Sequence, residues 1–237
     1  MTGLLDSHTR LLVCVAHPDD DVLCAGGTIA KAVDAGSLVR IVFFGEGSTA
    51  RFETADMQGE AARAAIRDRQ ECALRAGKIL GLEADAIGFG ELGCCRFDSL
   101  PHIELVKVAE REIDAFKPTV LITHATGDTN IDHRTLSQAI LTAARPIRYP
   151  FIRLLLRGEV LSSTETNPSE PFTPNLFIDI SKTFDRKWNA LAAYESEIGE
   201  APNPRSRSVL EALAKVRGGQ AGMPLAEGFE IVRQFDG

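Results

Sequence analysis

The sequence predicts an α/β fold: a three-layer sandwich in which helices cover both faces of a mainly parallel, Rossmann-like sheet. Short runs such as 11–16, which is wholly apolar, and 119–124, which centres on Val120, Leu121 and Ile122, suit strands that are buried on both faces. Amphipathic segments of helical length alternate with these runs, which is typical of a parallel sheet with crossover helices. We expect the strand order 3-2-1-4-5, in which the first strand is next to the fourth.

The first 145 residues predict this core. Strands are expected at 11–16, 38–44, 86–89 and 119–124, and helices at 28–34, 60–80, 103–116 and 133–144. After residue 145 the pattern becomes irregular, with strands expected at 152–156, 158–166, 176–180 and 229–234 and helices at 183–194 and 209–217. We expect a single domain over 1–237: an α/β core at 1–145 and a C-terminal elaboration at 146–237 that walls the active site.

Composition excludes several classes of protein. The 237 residues are 44% hydrophobic and 25% charged, values that are ordinary for a globular chain. A net charge of −7 argues against a nucleic-acid partner, which normally needs a basic face. The five cysteines include no Cys-x-x-Cys pair, and the first ten residues hold no long apolar run. We therefore expect a cytoplasmic protein without a membrane partner; a homo-oligomer is left open.

The stretch 11–27 concentrates chemistry at the end of the first strand. An apolar run ends on His17, and Asp19, Asp20 and Asp21 follow directly. Three adjacent carboxylates repel one another, so a cation is expected beside them. A doubly wound sheet binds ligands at the carboxyl ends of its strands, where strand order reverses. That topology brings His133, which follows the fourth strand, close to His17.

These side chains suit a catalytic metal. His17, Asp20 and His133 supply two imidazoles and one carboxylate, and a catalytic zinc site needs three protein ligands and an open position. Zn²⁺ is the expected ion, and Fe²⁺ suits the same ligands. Asp19 is not needed for coordination and is free to act as general base toward water that the metal activates. The reaction class that follows is hydrolysis of an amide or ester.

Several motifs resemble the PIG-L/LmbE-like family of metal-dependent N-deacetylases. They are AHPDDD with VLCAGGTIAK, NIDHR at the head of a later helix, and the segments RQECALRAGKILG and NLFIDISKTFDRKWNALAAYESE. The resemblance implies His17, Asp20 and His133 as metal ligands and Asp19 as base, in agreement with the coordination argument. It also implies that Asp132 orients a neighbouring side chain, although Asp132 at a helix start also suits an N-cap.

The chain departs from the family pattern at three places. Asp21 stands where the family usually has Glu, and Asn130 stands where many relatives have the His that stabilises the oxyanion. Asn130 donates a hydrogen bond but carries no charge, so either it serves weakly or another donor does this work. Cys94 and Cys95 replace the usual Asp-Asn pair, and we expect both to be small buried hydrophobic residues.

Substrate contacts are assigned to two arginines. Arg51 follows a glycine-rich loop at the sheet's carboxyl end, and Arg205 lies in a proline-rich loop where it would meet an anionic group. Both arginines suit an exposed surface position equally well.

Two further residues lie near the fourth strand. Asp128 is expected to be a turn residue, and His124 is either packed in the core or part of the pocket.

We expect a zinc-dependent hydrolase that deacetylates an N-acetylated amino sugar of the N-acetylglucosamine type, free or conjugated. Its partner is then a small-molecule N-acetyl sugar or sugar conjugate. One alternative is a metal-dependent amidase acting on a thiol conjugate or another non-sugar amide. A noncatalytic sugar-binding module is the other alternative.

Overall fold

A seven-stranded sheet forms the centre of the molecule in the computed structural model, which describes residues 4–235. Its strands are β1 (Arg10–Val15), β2 (Leu38–Gly45), β3 (Ile87–Leu92), β4 (Val120–His124), β5 (Leu154–Gly158), β6 (Leu176–Asp179) and β7 (Ala226–Gln234). The spatial order is β3-β2-β1-β4-β5-β7-β6, with the first five strands parallel. The predicted α/β class and the order 3-2-1-4-5 are confirmed.

Six helices cover the two faces of the sheet: α1 (Asp20–Asp34), α2 (Glu60–Leu80), α3 (His102–Phe116), α4 (Ile131–Ala143), α5 (Phe184–Ala192) and α6 (Arg207–Ala221). Residues of α3 and α4 pack on one face, and residues of α1, α2, α5 and α6 pack on the other. Side chains of strand β1 contribute to the hydrophobic core on both faces of the sheet, because successive side chains of a strand point to opposite faces. None of the helices in 4–235 is long and apolar enough to cross a membrane.

Helix α1 begins eight residues earlier than predicted. Asp20 and Asp21 occupy its first turn, where negative charge is favourable. The two glycines do not end the helix; they allow close packing, since a Cβ on Gly27 would lie 2.7 Å from Ile180 Cγ2. The helix is nevertheless broken at Ala25, whose φ and ψ are −146° and 16°.

The C-terminal half extends the same sheet rather than forming a separate one. Strand β7 is antiparallel to both β5 and β6 and lies between them. The predicted strand over 158–166 is wrong: after Gly158 the chain forms turns and a short 3₁₀ helix, Thr164–Thr166. Hydroxyl groups of Ser163 and Thr164 donate to the Asp128 carboxylate, which folds this segment back over the ends of the strands. The single-domain organisation stays a prediction.

Candidate metal centre and active site

Two neighbouring strands deliver the candidate metal ligands to one edge of the sheet. Strands β1 and β4 pair in parallel, so their carboxyl ends lie side by side. His17 follows β1, Asp20 begins α1, and His133 lies in the first turn of α4, which follows β4. All three are buried, and their donor atoms lie within 4.8 Å of one another. The structure thus brings together the three residues that the sequence predicts as ligands.

The donor atoms surround a common point. The Oδ2 atom of Asp20 lies 3.5 Å from His17 Nδ1 and 3.2 Å from His133 Nε2. That oxygen also accepts a hydrogen bond of 2.8 Å from the His17 backbone N–H, which closes the turn. His133 Nε2 is buried and has no hydrogen-bond partner among residues 4–235, although it faces a carboxylate. Two nitrogens and one oxygen that converge in this way, one of the nitrogens without a hydrogen-bond partner, fit a tetrahedral divalent ion.

Charge at the centre also fits a cation. Burial opposes the charged form of His133, but Asp20 and Asp128 outweigh it and raise the pKa of His133 to about 9. Burial likewise opposes the charged forms of His17 and Asp20. Hydrogen bonds to Asp132 and Asp20 nevertheless raise the pKa of His17, and His133 lowers that of Asp20. The carboxylates attract positive charge, which protons supply when no metal is bound.

A second carboxylate lies behind each histidine. His17 Nε2 lies 2.9 Å from Asp132 Oδ2, and His133 Nδ1 lies 3.0 Å from Asp128 Oδ2. Carboxylates in this position select the tautomer that presents the other ring nitrogen to a metal. Asp132 does not cap α4, because Asn130 does: its side-chain oxygen accepts from the Asp132 backbone N–H at 2.9 Å.

Asp19 lies beside the ligand set but outside it. Its backbone is left-handed, with a φ of 110°, an uncommon conformation that Asp tolerates better than most residues. Arg205 Nη1 donates to Asp19 Oδ2 at 2.8 Å, and Arg69 Nη1 lies 3.6 Å from the same oxygen. Burial raises the pKa of Asp19, and the two guanidinium groups oppose that rise. The net pKa stays above that of an ordinary Asp, so the carboxylate is held in place and is a stronger base than an exposed aspartate.

Glu197 organises the arginines around Asp19. Arg205 donates to Glu197 Oε2 at 2.7 Å, while Arg69 and Arg51 lie 3.0 and 2.6 Å from Oε1. Burial disfavours the charged carboxylate, but the arginines outweigh it and lower the pKa of Glu197. One carboxylate thus ties together both predicted substrate-binding arginines, Arg51 and Arg205.

These residues line one cleft of about 500 Å³. Its wall includes the three candidate ligands, Asp19, and the side chains of Arg51, Asn130, Ser162 and Arg205. Ser162 and Arg205 come from the part of the chain after residue 145, so the C-terminal elaboration contributes to the wall. A cleft of this size accommodates a small molecule such as a sugar derivative.

The structure separates the two neighbouring cysteines. Cys94 is buried, as expected. Its thiol forms a cluster of three possible metal-binding groups together with the side chains of His17 and Asp132. Cys95 is exposed, so the prediction that it is a buried hydrophobic residue is wrong. Its backbone is left-handed, with a φ of 58°, and its N–H donates to Asp132 Oδ2 at 2.5 Å. The peptide group, rather than the thiol, ties Cys95 to the site.

Sequence reasoning missed two acids of the site. Asp128 was expected to be a turn residue, yet it is fully buried and contacts His133. The nearby motif NIDHR gives no sign of this role, because the hydroxyl partners of Asp128 lie more than thirty residues away. Glu197 lies in an acidic loop and belongs to no recognisable sequence motif.

His124 is buried, and its ring stacks on the ring of His133 with centroids 4.0 Å apart.

Comparison with known proteins supplies the family. The family model described as PIG-L, GlcNAc-PI de-N-acetylase, matches residues 12–144. A 4-oxalmesaconate hydratase from Pseudomonas putida is 27% identical over 187 residues, covering 76% of this chain and 70% of that protein. A diacetylchitobiose deacetylase from Thermococcus kodakarensis is 24% identical over 235 residues, covering 94% and 83%.

Solved structures agree with the fold. The crystal structure of A40926 pseudoaglycone deacetylase has a TM-score of 0.73 and 20% identity, and the match covers 97% of this chain and 99% of that one. The family match spans β1 to α4 and contains all three candidate ligands and Asp19. The chain therefore belongs to the PIG-L family of de-N-acetylases, enzymes that hydrolyse an amide bond, as its sequence motifs predict.

Proposed function

We propose that this protein is a zinc-dependent deacetylase acting on an N-acetylated amino sugar of the N-acetylglucosamine type. The position of Asp19 is the observation that carries the proposal. It is a buried carboxylate next to the ligand Asp20, yet it pairs with Arg205 and Arg69 instead of joining the ligand set. A protein that only binds sugar has no need of such a group.

Asp19 is the general base in this proposal. His17, Asp20 and His133 would hold a divalent ion, which would lower the pKa of water and polarise a carbonyl group. Asp19 accepts the proton from the attacking water and later returns it to the leaving amine. Arg205 and Arg69 both contact Oδ2 of Asp19, which orients the carboxylate and leaves Oδ1 for the proton transfer.

The negative charge that develops on the amide oxygen needs donors. Asn130 lies in the wall of the cleft, but its side-chain oxygen is used to cap α4, which leaves only its amide group as a donor. Asp132 serves by holding His17. Arg205 and Arg51 are the substrate-binding residues of this proposal: both line the cleft, and Arg51 has 57% of its side chain exposed and accessible to ligand.

The choice of substrate rests on the relatives. The match to the diacetylchitobiose deacetylase covers 94% of this chain, and the family model is described as GlcNAc-PI de-N-acetylase. Either a free sugar or a conjugate fits a cleft of about 500 Å³. Zn²⁺ is proposed for the ligand set of two imidazoles and one carboxylate; Fe²⁺ is the alternative ion.

A hydratase is a second candidate. The relative from Pseudomonas putida is a 4-oxalmesaconate hydratase, and three arginines in the cleft wall suit a substrate with carboxylate groups. In this second proposal the same three residues would hold the metal, and Asp19 would be the base for the addition of water to a double bond. The two reactions differ in their products, which makes them separable in one assay series.

The test measures both products with purified, metal-loaded protein. Acetate release is followed on N-acetylglucosamine, diacetylchitobiose, an N-acetylglucosamine conjugate and an N-acetylated thiol conjugate, each with and without a chelator. Hydration is followed by the absorbance of an unsaturated oxo-carboxylate. Chelator-sensitive acetate release from a sugar supports the proposal. Release only from the thiol conjugate, hydration alone, or binding of sugar without turnover contradicts it.

A further inference from the structure

A buried ion pair from the C-terminal half of the chain sits in the break of helix α1. Lys187 lies on α5 and Glu227 on β7; each is only 5% exposed, and Lys187 Nζ lies 2.6 Å from Glu227 Oε1. We propose that this pair is a positioning device that sets the first turn of α1, and with it Asp20, for metal binding. The inference rests on the metal site of the proposed function.

The pair replaces backbone hydrogen bonds that the helix would otherwise make. In a continuous α-helix the Gly27 N–H donates to the Leu23 carbonyl oxygen, four residues earlier. Here Lys187 Nζ donates to the Leu23 carbonyl at 2.9 Å, while the Gly27 N–H donates to Glu227 Oε1 at 2.9 Å. The ammonium and carboxylate groups thus separate one backbone donor from its acceptor.

The carboxylate completes a second bond in the same way. Glu227 Oε2 accepts from the Thr28 N–H at 2.7 Å, so both of its oxygens bind the start of the second helical piece. A negative charge is favourable at a helix N-terminus, and a positive charge is favourable beside the last carbonyl of the preceding piece. The two charges of the pair therefore match the two helix ends created at Ala25.

Stability alone does not account for such a pair. Removing two charges from water is costly, and apolar replacements of buried ion pairs are often neutral or stabilising. The pair does determine where α1 divides. The short first piece carries Asp20, whose Oδ2 faces His17 and His133, and it follows directly on Asp19. If the helix were continuous, this piece would rotate and shift the carboxylate relative to the two imidazoles.

Elements of the C-terminal half place Lys187 and Glu227 against α1. Strand β7 belongs to the elaboration after residue 145, and α5 packs on both α1 and α2. Thr183, at the start of α5, also donates its hydroxyl to the Gly27 carbonyl at 2.8 Å. The C-terminal half therefore contacts the metal-binding turn through the break in α1 as well as through the wall of the cleft.

The experiment uses the full chain and four variants. K187M/E227Q removes both charges without leaving one unpaired, whereas K187R keeps a cationic donor for Leu23 and Glu227. I113A is a stability control, because Ile113 is fully buried on α3 and belongs to the hydrophobic cluster of the other layer, which includes no residue of α1. E227Q alone tests the carboxylate. Zinc affinity is measured by competition with a chromophoric chelator, and melting temperature is measured in parallel.

We expect K187M/E227Q to bind zinc at least tenfold more weakly than the wild type and K187R to stay within about threefold of it. I113A should have a lower melting temperature and an unchanged zinc affinity.

Hydrogen exchange in the metal-free protein is the second measurement. The His17 amide, which donates to Asp20 Oδ2, should lose protection in the double variant. Exchange is informative even if the wild type bound no zinc, which would count against the proposed function alone. Unchanged affinity and unchanged His17 protection in K187M/E227Q would overturn the inference.

Discussion

His17 Nε2 lies 2.9 Å from Asp132 Oδ2, although 115 residues separate the two side chains. Asp132 is itself fixed, since it accepts backbone hydrogen bonds from Cys95 and Phe97. In the proposed metal-bound state, Asp132 would hold the proton of His17 on Nε2, which leaves the Nδ1 lone pair available to the ion. On the opposite side, Asp128 Oδ2 lies 3.0 Å from His133 Nδ1 and would have the corresponding effect on that ring.

This arrangement predicts the effect of neutralising either supporting acid. If His17 and His133 are metal ligands, D132N and D128N remove the charge that would hold each ring in its ligand tautomer, and zinc affinity should fall 10- to 100-fold in each. Isothermal titration of metal-free protein measures the affinity. D85N, at an exposed position in the 3₁₀ turn before β3, is the control and should bind as the wild type does. Full affinity in D132N would show that Asp132 plays no supporting part.

The parallel sheet explains why so much of the site was predictable. Apolar runs fixed β1 and β4, and once these strands are adjacent, residues that follow them must meet at one edge. The ligand types and the spacing of His17 and Asp20 then pointed to one metal position. The structure brings those residues together as expected, while their roles in metal binding and catalysis stay predictions.

Other features depend on partners that no local pattern reveals. The sequence around Asp128 predicts a turn residue, because its hydrogen-bond donors Ser163 and Thr164 become neighbours only in the folded chain. The break in α1 depends on Lys187 and Glu227, which lie about 160 to 200 residues further along the chain. Glycine pairs usually suggest the end or start of a helix, so the sequence placed the start of α1 too late.

Substitutions at the two neighbouring acids should separate binding from catalysis. D19N keeps the shape of the side chain but removes its basicity, so it should retain metal and lose about 10²- to 10⁴-fold in turnover. D20A removes one of the three proposed ligands and should lose the metal itself. Metal content of the purified proteins and acetate release are measured separately. Full activity in D19N with bound metal would show that Asp19 is not the base.

Metal affinity should rise with pH. His133 has a pKa raised to about 9, and the pKa of His17 is also raised, because buried carboxylates face both rings. A metal must displace these protons, so apparent zinc affinity is lowest near pH 6 and increases until the pH passes about 9. Competition titrations at fixed ionic strength between pH 6 and 9 give the slope. A flat profile would mean that neither ring is protonated in the metal-free protein.

The same protonation stabilises the metal-free fold at low pH. A histidine with a raised pKa contributes stability that is fully present below its unfolded value of 6.5 and is lost as the pH rises through about 9. Metal-free protein should therefore unfold at a lower temperature at pH 9 than at pH 6.5. H133Q should be less sensitive to pH over that range, which thermal melts followed by circular dichroism would measure.

The third acid of the motif gives a stability prediction of its own. Asp21 is buried beside Asp19 and Asp20, and its Oδ1 has no hydrogen-bond partner among residues 4–235. Burial raises its pKa from 3.8 to about 7, so the folded protein keeps the carboxyl protonated where the unfolded chain ionises it. The stability that this group contributes is complete below pH 3.8 and is lost by about pH 7, a difference of up to about 4 kcal/mol.

D21N cannot ionise and should escape that loss. Relative to the wild type, the free energy of unfolding of metal-free D21N should increase between pH 4 and about pH 7, by an amount on the order of 2–4 kcal/mol, and then level off. Urea unfolding at each pH measures the difference, and D85N provides the baseline for an exposed acid. A constant difference across this range would mean that Asp21 is already ionised in the folded protein at pH 4, with its charge compensated by groups around the α1 turn.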